Sequence, residues 1–252
     1  MARHRQPKGR NIEPPSLFGE IVGLVTRPAI VSKLEIITDN FRLITLEGDS
    51  LKGISWTPGQ KIEVLLDSDI RSVHTPISWD SLNGVTRLLV YRAGSASPEA
   101  RWVNTAEPGE IRRIWGPIPS LDLTELKRPT LFFGDETSIG LAQALQATRA
   151  GLREVSFLFE ALSPVESKLV LQKLGISDAT VLERTEDENY MAALEAAMHR
   201  LIENVTPNQF VLTGKGSSIR RVTNLLRRQR IPASKLMIMR TGPTARVDSI
   251  DL

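Results

Sequence analysis

Two glycine-rich junctions hold the residues best suited to chemistry. Residues 131–142, Leu-Phe-Phe-Gly-Asp-Glu-Thr-Ser-Ile-Gly-Leu-Ala, run from an apolar strand through Gly134 into a polar turn, then into a helical pattern opening at Thr137 or Ser138. Such a junction gathers backbone N–H groups at a helix N-terminus, the place where nucleotide phosphates are held. This turn also carries Asp135 and Glu136, which repel phosphate, so a plain phosphate loop does not describe it. Gly214-Lys215-Gly216-Ser217-Ser218 repeats the strand-turn-helix logic after Leu212, and Lys215 suits a phosphate or an anionic substrate.

Other chemistries are excluded by what the chain lacks. With no cysteine there is no disulfide, thiol nucleophile, Cys-ligated zinc or iron–sulfur cluster within it. His4, His74 and His199 are the only histidines, so no metal site is expected, and no Ser-His-Asp spacing stands out. Thirty-two basic residues against 29 acidic ones leave a net charge of +3, which argues against a nucleic-acid binder. Arg220, Arg221, Arg227, Arg228 and Arg230 read as a solvated helix face, with attraction of a nucleotide 2′-phosphate or an anionic chelate as the functional alternative. Glu183, Glu186, Asp187 and Glu188 read as an acidic surface stretch. Arg3, Arg5, Lys8 and Arg10 precede no apolar segment, and no long uncharged run follows. A cytoplasmic protein without membrane insertion is expected.

The elements that must position these residues change character along the chain. Short β-like runs at Glu20–Val25, Val31–Thr38, Phe41–Leu46, Lys61–Leu66, His74–Trp79, Thr86–Arg92 and Glu110–Trp115 are broken by Pro-Gly pairs and by Asn83-Gly84, a hairpin signal. Strands at this spacing predict a closed antiparallel barrel. After Gly116-Pro117-Ile118-Pro119, strand candidates at Thr130–Phe133, Glu154–Phe159, Thr180–Leu182, Gln209–Thr213 and Lys235–Met239 alternate with helical patterns near 138–149, 164–174, 188–203 and 217–229. That alternation predicts a parallel sheet covered by helices. The expected organisation is a basic tail over 1–16, an N-terminal antiparallel β-barrel over 17–126, and a C-terminal α/β nucleotide-binding domain over 127–252.

A barrel followed by such a domain can hold a flavin against a nicotinamide, and particular residues sharpen that reading. His74-Thr75-Pro76-Ile77-Ser78-Trp79-Asp80, Ala100-Arg101-Trp102, Trp115-Gly116-Pro117 with Ser120-Leu121-Asp122-Leu123, and Phe133-Gly134-Asp135-Glu136-Thr137-Ser138 resemble the siderophore-interacting proteins of the ferredoxin-NADP reductase superfamily. The resemblance is strongest from Pro58 to Leu145. It implies FAD and NAD(P)H as cofactors, a ferric siderophore as substrate, and reduction that releases Fe(II). Two alternatives stand beside it: a non-catalytic flavin- or siderophore-binding scaffold, and a general flavin reductase or electron-transfer reductase component.

The resemblance also implies roles for residues. On the family's Arg-x-Tyr-Thr/Ser strand, Thr75 takes the hydroxyl position that approaches flavin N5, which makes it the catalytic candidate. His74 takes the aromatic position, Pro76 and Ile77 complete the flavin-binding strand, and Ser72 stands where the family has its pyrophosphate-binding arginine. Arg71 falls one residue early. Residues two apart share a strand face and residues three apart do not, so a bulge at Val73 is needed to bring Arg71 to the cofactor. Arg92, Ala93, Gly94, Ser97 and Ala100 occupy the second pyrophosphate turn, with Arg92 able to supply the missing charge, and Trp102 is expected to pack. Gly134, Asp135, Glu136, Thr137 and Ser138 form the nicotinamide end. There the acids suit ribose hydroxyls or the helix N-terminus, and a Thr137 or Ser138 hydroxyl suits the cap. Gly214 and Lys215 form a second edge of the same cleft.

Overall fold

The computed structural model describes residues 26–66, 70–92, 98–124, 126, 128–148, 155–185 and 187–240. The tail, the Glu20–Val25 run and three cofactor candidates (Ala93, Gly94 and Ser97) lie outside them. Alternating apolar and polar residues build the first half as strands β1 (Arg27–Ile36), β2 (Phe41–Glu47), β3 (Lys61–Leu65), β4 (Arg71–His74), β5 (Pro76–Asp80) and β6 (Val85–Tyr91), helix α1 (Pro98–Thr105) and strand β7 (Ile111–Ile118). In β6 the alternation is plain: Thr86, Leu88 and Val90 face inward while Arg87 is exposed.

These strands form one antiparallel sheet of order β4-β3-β7-β1-β2-β6-β5. Its two edge strands are separated in sequence by Thr75 alone. Laid flat, the edges of a seven-stranded sheet would stand about 29 Å apart, whereas residues flanking a single residue are within about 7 Å. The sheet is therefore curled fully upon itself. The expected closed barrel needs correction in one respect: among the described residues no ladder joins β4 to β5, and the seam is made by the chain itself. Ala29, Val31, Ile44, Leu46, Ile62, Val64, Leu88 and Ile114 fill the interior, and α1 caps it with Trp102 and Val103. Trp102 is a packing residue, as expected from the sequence.

The second half contains β8 (Thr130–Gly134), α2 (Ile139–Thr148), β9 (Val155–Ala161), α3 (Pro164–Lys173), β10 (Thr180–Glu183), α4 (Glu188–Val205), β11 (Gln209–Gly214), α5 (Gly216–Arg228) and β12 (Leu236–Arg240). All five strands pair in parallel in the order β10-β9-β8-β11-β12. The continuous apolar runs Thr130–Gly134 and Phe210–Gly214 are buried throughout because helices cover both faces. The strand order reverses between β8 and β11, so the crevice outside their carboxyl ends is the ligand position of such sheets. Gly134 and Gly214 stand at that crevice.

One apolar cluster crosses between the halves, joining Phe41, Leu89 and Tyr91 to Phe132, Ile139 and Val211. Polar contacts reinforce it: Asn40 Nδ2 donates to Glu166 Oε2 at 2.8 Å, and Lys173 pairs with Glu35. No described helix is long and apolar enough to cross a membrane.

Candidate functional site

At the switch point, the structure answers why a phosphate-type turn carries acids. Asp135 turns back onto its own junction and caps the 3-10 turn Glu136–Ser138 that leads into α2. Its Oδ1 accepts from Thr137 N at 3.0 Å, Thr137 Oγ1 at 2.5 Å and Ser138 Oγ at 3.2 Å. Its Oδ2 accepts from Lys215 N at 3.0 Å, tying the β8 junction to the β11 junction. The cap is thus Asp135, and the Thr137 and Ser138 hydroxyls donate to it instead of capping. Neither glycine tolerates a side chain here. A Cβ on Gly134 would lie 2.6 Å from Ser138 Cβ, and one on Gly214, where φ is +106°, would lie 2.7 Å from Asp135 Oδ2.

Glu136 points the other way. It accepts from Leu162 N at 2.6 Å and from Arg184 Nη1 and Nη2 at 2.9 and 3.2 Å. Arg184 also reaches Glu160 Oε1 at 3.4 Å. Glu160, on the interior strand β9, is fully buried and accepts from Ser218 Oγ at 2.5 Å and from the Tyr190 hydroxyl. Burial first, then the Glu160 hydrogen bond, pushes the Tyr190 phenol well above its usual range. Two carboxylates, one guanidinium and two hydroxyls thus fasten β9, the ends of β8 and β10, and the first turns of α4 and α5. None of this was foreseen. The signal available in the sequence was Glu160 between the apolar runs Phe157-Leu158-Phe159 and Ala161-Leu162, since a charge in a buried strand must find partners.

Gly140, in the first turn of α2, brings the second half against the seam of the first. A Cβ placed there would meet Ile77 Cγ2 at 3.4 Å, Leu89 Cβ at 3.6 Å and the Thr75 carbonyl oxygen at 3.6 Å. Thr75, Pro76 and Ile77 therefore lie beside the helix that opens from Gly134–Ser138. Tyr91 closes the same region, its ring 4.9 Å from that of Phe41. Its phenol is pushed up to about 12, by burial first and the Glu136 charge second. The glycine stretch after Leu212 arrives at the same crevice, where exposed Lys215 opens α5 and a Cβ placed on Gly216 would lie within 4 Å of the Arg220 and Arg240 side chains. The remaining arginines of α5 are exposed, and Arg228 pairs with Glu195 on α4.

The flavin-type strand departs from expectation at Arg71. β4 pairs with β3 in unbroken register, Ile62 with His74, Glu63 with Val73, Val64 with Ser72 and Leu65 with Arg71. The bulge at Val73 is absent. Arg71 stands on the outer face, 3.0 Å from Glu63 Oε2 and with its guanidinium 5.5 Å from the centre of the Trp115 ring. Ser72 and His74 share the inner face beneath α1, where Ser72 Oγ donates to Glu99 Oε1 at 2.7 Å. Arg92 donates to Asn104 Oδ1 at 3.0 Å along α1, and Ala100 is buried in the same helix. Helix α1 itself was not foreseen, although Pro98-Glu99 carries a helix-start pattern.

Burial pushes the His74 imidazole below the usual value of 6.5, and the Glu99 charge opposes this more weakly. A histidine kept neutral by the fold contributes stability that is complete above 6.5 and is lost as pH falls through the lower folded-state value. Urea unfolding is accordingly expected to show falling stability from about pH 6.5 downward, a slope that His74→Gln flattens. Identical pH profiles for the two proteins would remove His74 as its source.

No family model matches the chain, and no curated protein matches it in sequence. Solved structures do share its fold. The siderophore-interacting protein SipS from Aeromonas hydrophila superposes with a TM-score of 0.67 at 15% identity, over 86% of this chain and 92% of that one. The ferredoxin reductase in carbazole 1,9a-dioxygenase gives 0.67 at 15%, over 86% of this chain and 68% of that one. A flavohemoglobin from Malassezia yamatoensis, with bound FAD and heme, gives 0.66 at 15%, over 86% and 60%. The antiparallel sheet followed by a five-stranded parallel sheet is the ferredoxin reductase-like fold.

Proposed function

We propose that this chain is an FAD-dependent NAD(P)H oxidoreductase that reduces ferric siderophores. The observation that carries the reading is the contact of Gly140 with Thr75 and Ile77, because it sets the flavin-type strand beside the nucleotide-type junction. Two cofactors that exchange hydride must meet at such a place. The proteins of like fold named above, among them one with bound FAD and one that interacts with siderophores, support it.

The residues present fit a flavin dinucleotide. The His74 Nε2 atom is buried and makes no hydrogen bond among the described residues, so a polar partner is wanted at that spot. Ser72 and His74, with the first turn of α1, would hold the pyrophosphate, so that His74, buried beneath α1, leaves the aromatic position beside the ring that the resemblance gives it; Thr75, Pro76 and Ile77 would line the ring. Gly134 and the Asp135-capped turn would receive the nicotinamide nucleotide, with Gly214 and Lys215 on its other side. When bound, the flavin supplies two-electron acceptance from the nicotinamide and one-electron donation to iron. Over a cycle, one NAD(P)H and two ferric ions give NAD(P)⁺, one proton and two ferrous ions. Oxygen-donor siderophores match ferric iron better than ferrous, so reduction weakens the chelate. Lys215, Arg220 and Arg240 would draw an anionic chelate to the crevice mouth. No acid–base pair is required.

The purified protein reconstituted with FAD is expected to be yellow, to bleach with NADH or NADPH under anaerobic conditions, and to regain its colour with a ferric siderophore. A protein that stays colourless after reconstitution overturns the reading. Recolouring only with oxygen, free flavin or a protein acceptor replaces the siderophore with another electron acceptor.

A further inference from the structure

Glu99 occupies a place that nothing in the residue pattern required. It stands in the first turn of α1, where the partial positive charge of a helix start favours an anion. Its Oε1 accepts from Ser72 Oγ at 2.7 Å and lies 3.5 Å from His74 Nε2. The His74 side chain is 6% exposed, and its Nε2 has no hydrogen-bond partner among the described residues although it faces that carboxylate. One anionic oxygen at the start of a helix thus takes a hydroxyl's hydrogen bond and faces a buried imidazole nitrogen. Two cations close in sequence to this cluster are turned elsewhere, Arg71 to Glu63 and Trp115, Arg92 to Asn104. The Glu99 side chain is 38% exposed and can swing outward without unpacking the core.

We propose that the Glu99 carboxylate is an intramolecular competitor for the flavin pyrophosphate, so that FAD enters only when Glu99 releases Ser72. This rests on the flavin reading above. The carboxylate presents to Ser72 and His74 the same acceptor chemistry that a phosphate oxygen would, and while it stays it repels a second anion. Release therefore lies between the free protein and the loaded one, and flavin occupancy depends on a side chain of α1 as well as on flavin concentration.

The test compares binding of FAD, riboflavin and inorganic pyrophosphate to the full chain, to Glu99→Gln, to Glu99→Ala and to Glu107→Gln, an exposed acid two residues past the end of α1. Both Glu99 variants are expected to bind FAD and pyrophosphate about tenfold more tightly. Riboflavin, which has no phosphate, is expected to bind all four proteins alike, and Glu107→Gln to match the native chain. FAD binding unchanged or weakened in both Glu99 variants overturns the role of Glu99 while leaving the flavin reading intact. Tightened pyrophosphate with no FAD binding in any protein sustains Glu99 as an anion's stand-in and sinks the flavin reading. Equal tightening by Glu107→Gln reduces the effect to overall charge and overturns the proposal.

Discussion

Replacing Arg184 with methionine is expected to destabilise the protein by about 3–5 kcal/mol, the cost of removing one partner from a buried ion pair. Arg184 is the guanidinium between Glu136 and Glu160, which are 3% and 0% exposed in their side chains. Without it, the Leu162 amide still serves Glu136, and Ser218 and Tyr190 still serve Glu160. Those neutral donors do not offset two buried negative charges. The comparison that isolates this cause is the triple variant Arg184→Met, Glu136→Gln, Glu160→Gln, which removes the charges together and is expected to recover part of the loss. Guanidinium unfolding followed by circular dichroism reads both. A loss under about 1 kcal/mol for Arg184→Met would mean that the network is hydrated and contributes little.

The second large effect is functional and falls at Gly140. Alanine fits there, since its Cβ meets Ile77, Leu89 and the Thr75 carbonyl at ordinary contact distances of 3.4 to 3.6 Å, and it favours the helix. Valine does not fit, because its two further methyl groups enter space already held by those atoms, and α2 must move away from β5. A displacement of about 1 Å between reacting groups can lower a rate roughly 100-fold. Gly140→Val is thus expected to slow NAD(P)H oxidation by the FAD-loaded protein by about that factor, with Gly140→Ala close to native. FAD affinity is expected to fall less than the rate, because Ser72 and His74, which would hold the pyrophosphate, lie on the other edge strand. Full activity in Gly140→Val would show that the two halves do not need this contact for turnover.

Much of the fold was legible because the two periodicities are strong. The alternation in Val85–Tyr91 and the apolar run Phe210–Gly214 each admit one reading, and the helices over 164–173 and 216–228 fall within one or two residues of the pattern that predicts them. The split of His74–Trp79 was not legible. Thr75 belongs to neither strand, and only the sheet order reveals that the chain changes edges there. Pro76 was the local hint, since a residue without an N–H suits the start of an edge strand.

At the candidate site, residue types were legible and their directions were not. Asp135 and Glu136 were singled out, but their partners Lys215 N and Arg184 lie 80 and 48 residues away and meet them through the parallel sheet order. The face of Arg71 turned on whether one residue was inserted at Val73, which composition does not encode. Glu99 was hidden for a different reason: Ser72 and α1 are brought together only by the curling of the sheet.

The single-residue step at Thr75 also bears on where this chain can change in length. An insertion between exposed Leu82 and Asn83, at the tip of the turn between β5 and β6, is expected to lengthen a loop over the surface and to leave the ladders in place. An insertion beside Thr75 slackens the link that draws two opposite sheet edges together, and shifts what faces Gly140. Changes in length are therefore expected to be tolerated at the hairpin and to be costly at the seam. A library of one-residue insertions scanned through 70–92 would find its sharpest minimum at position 75.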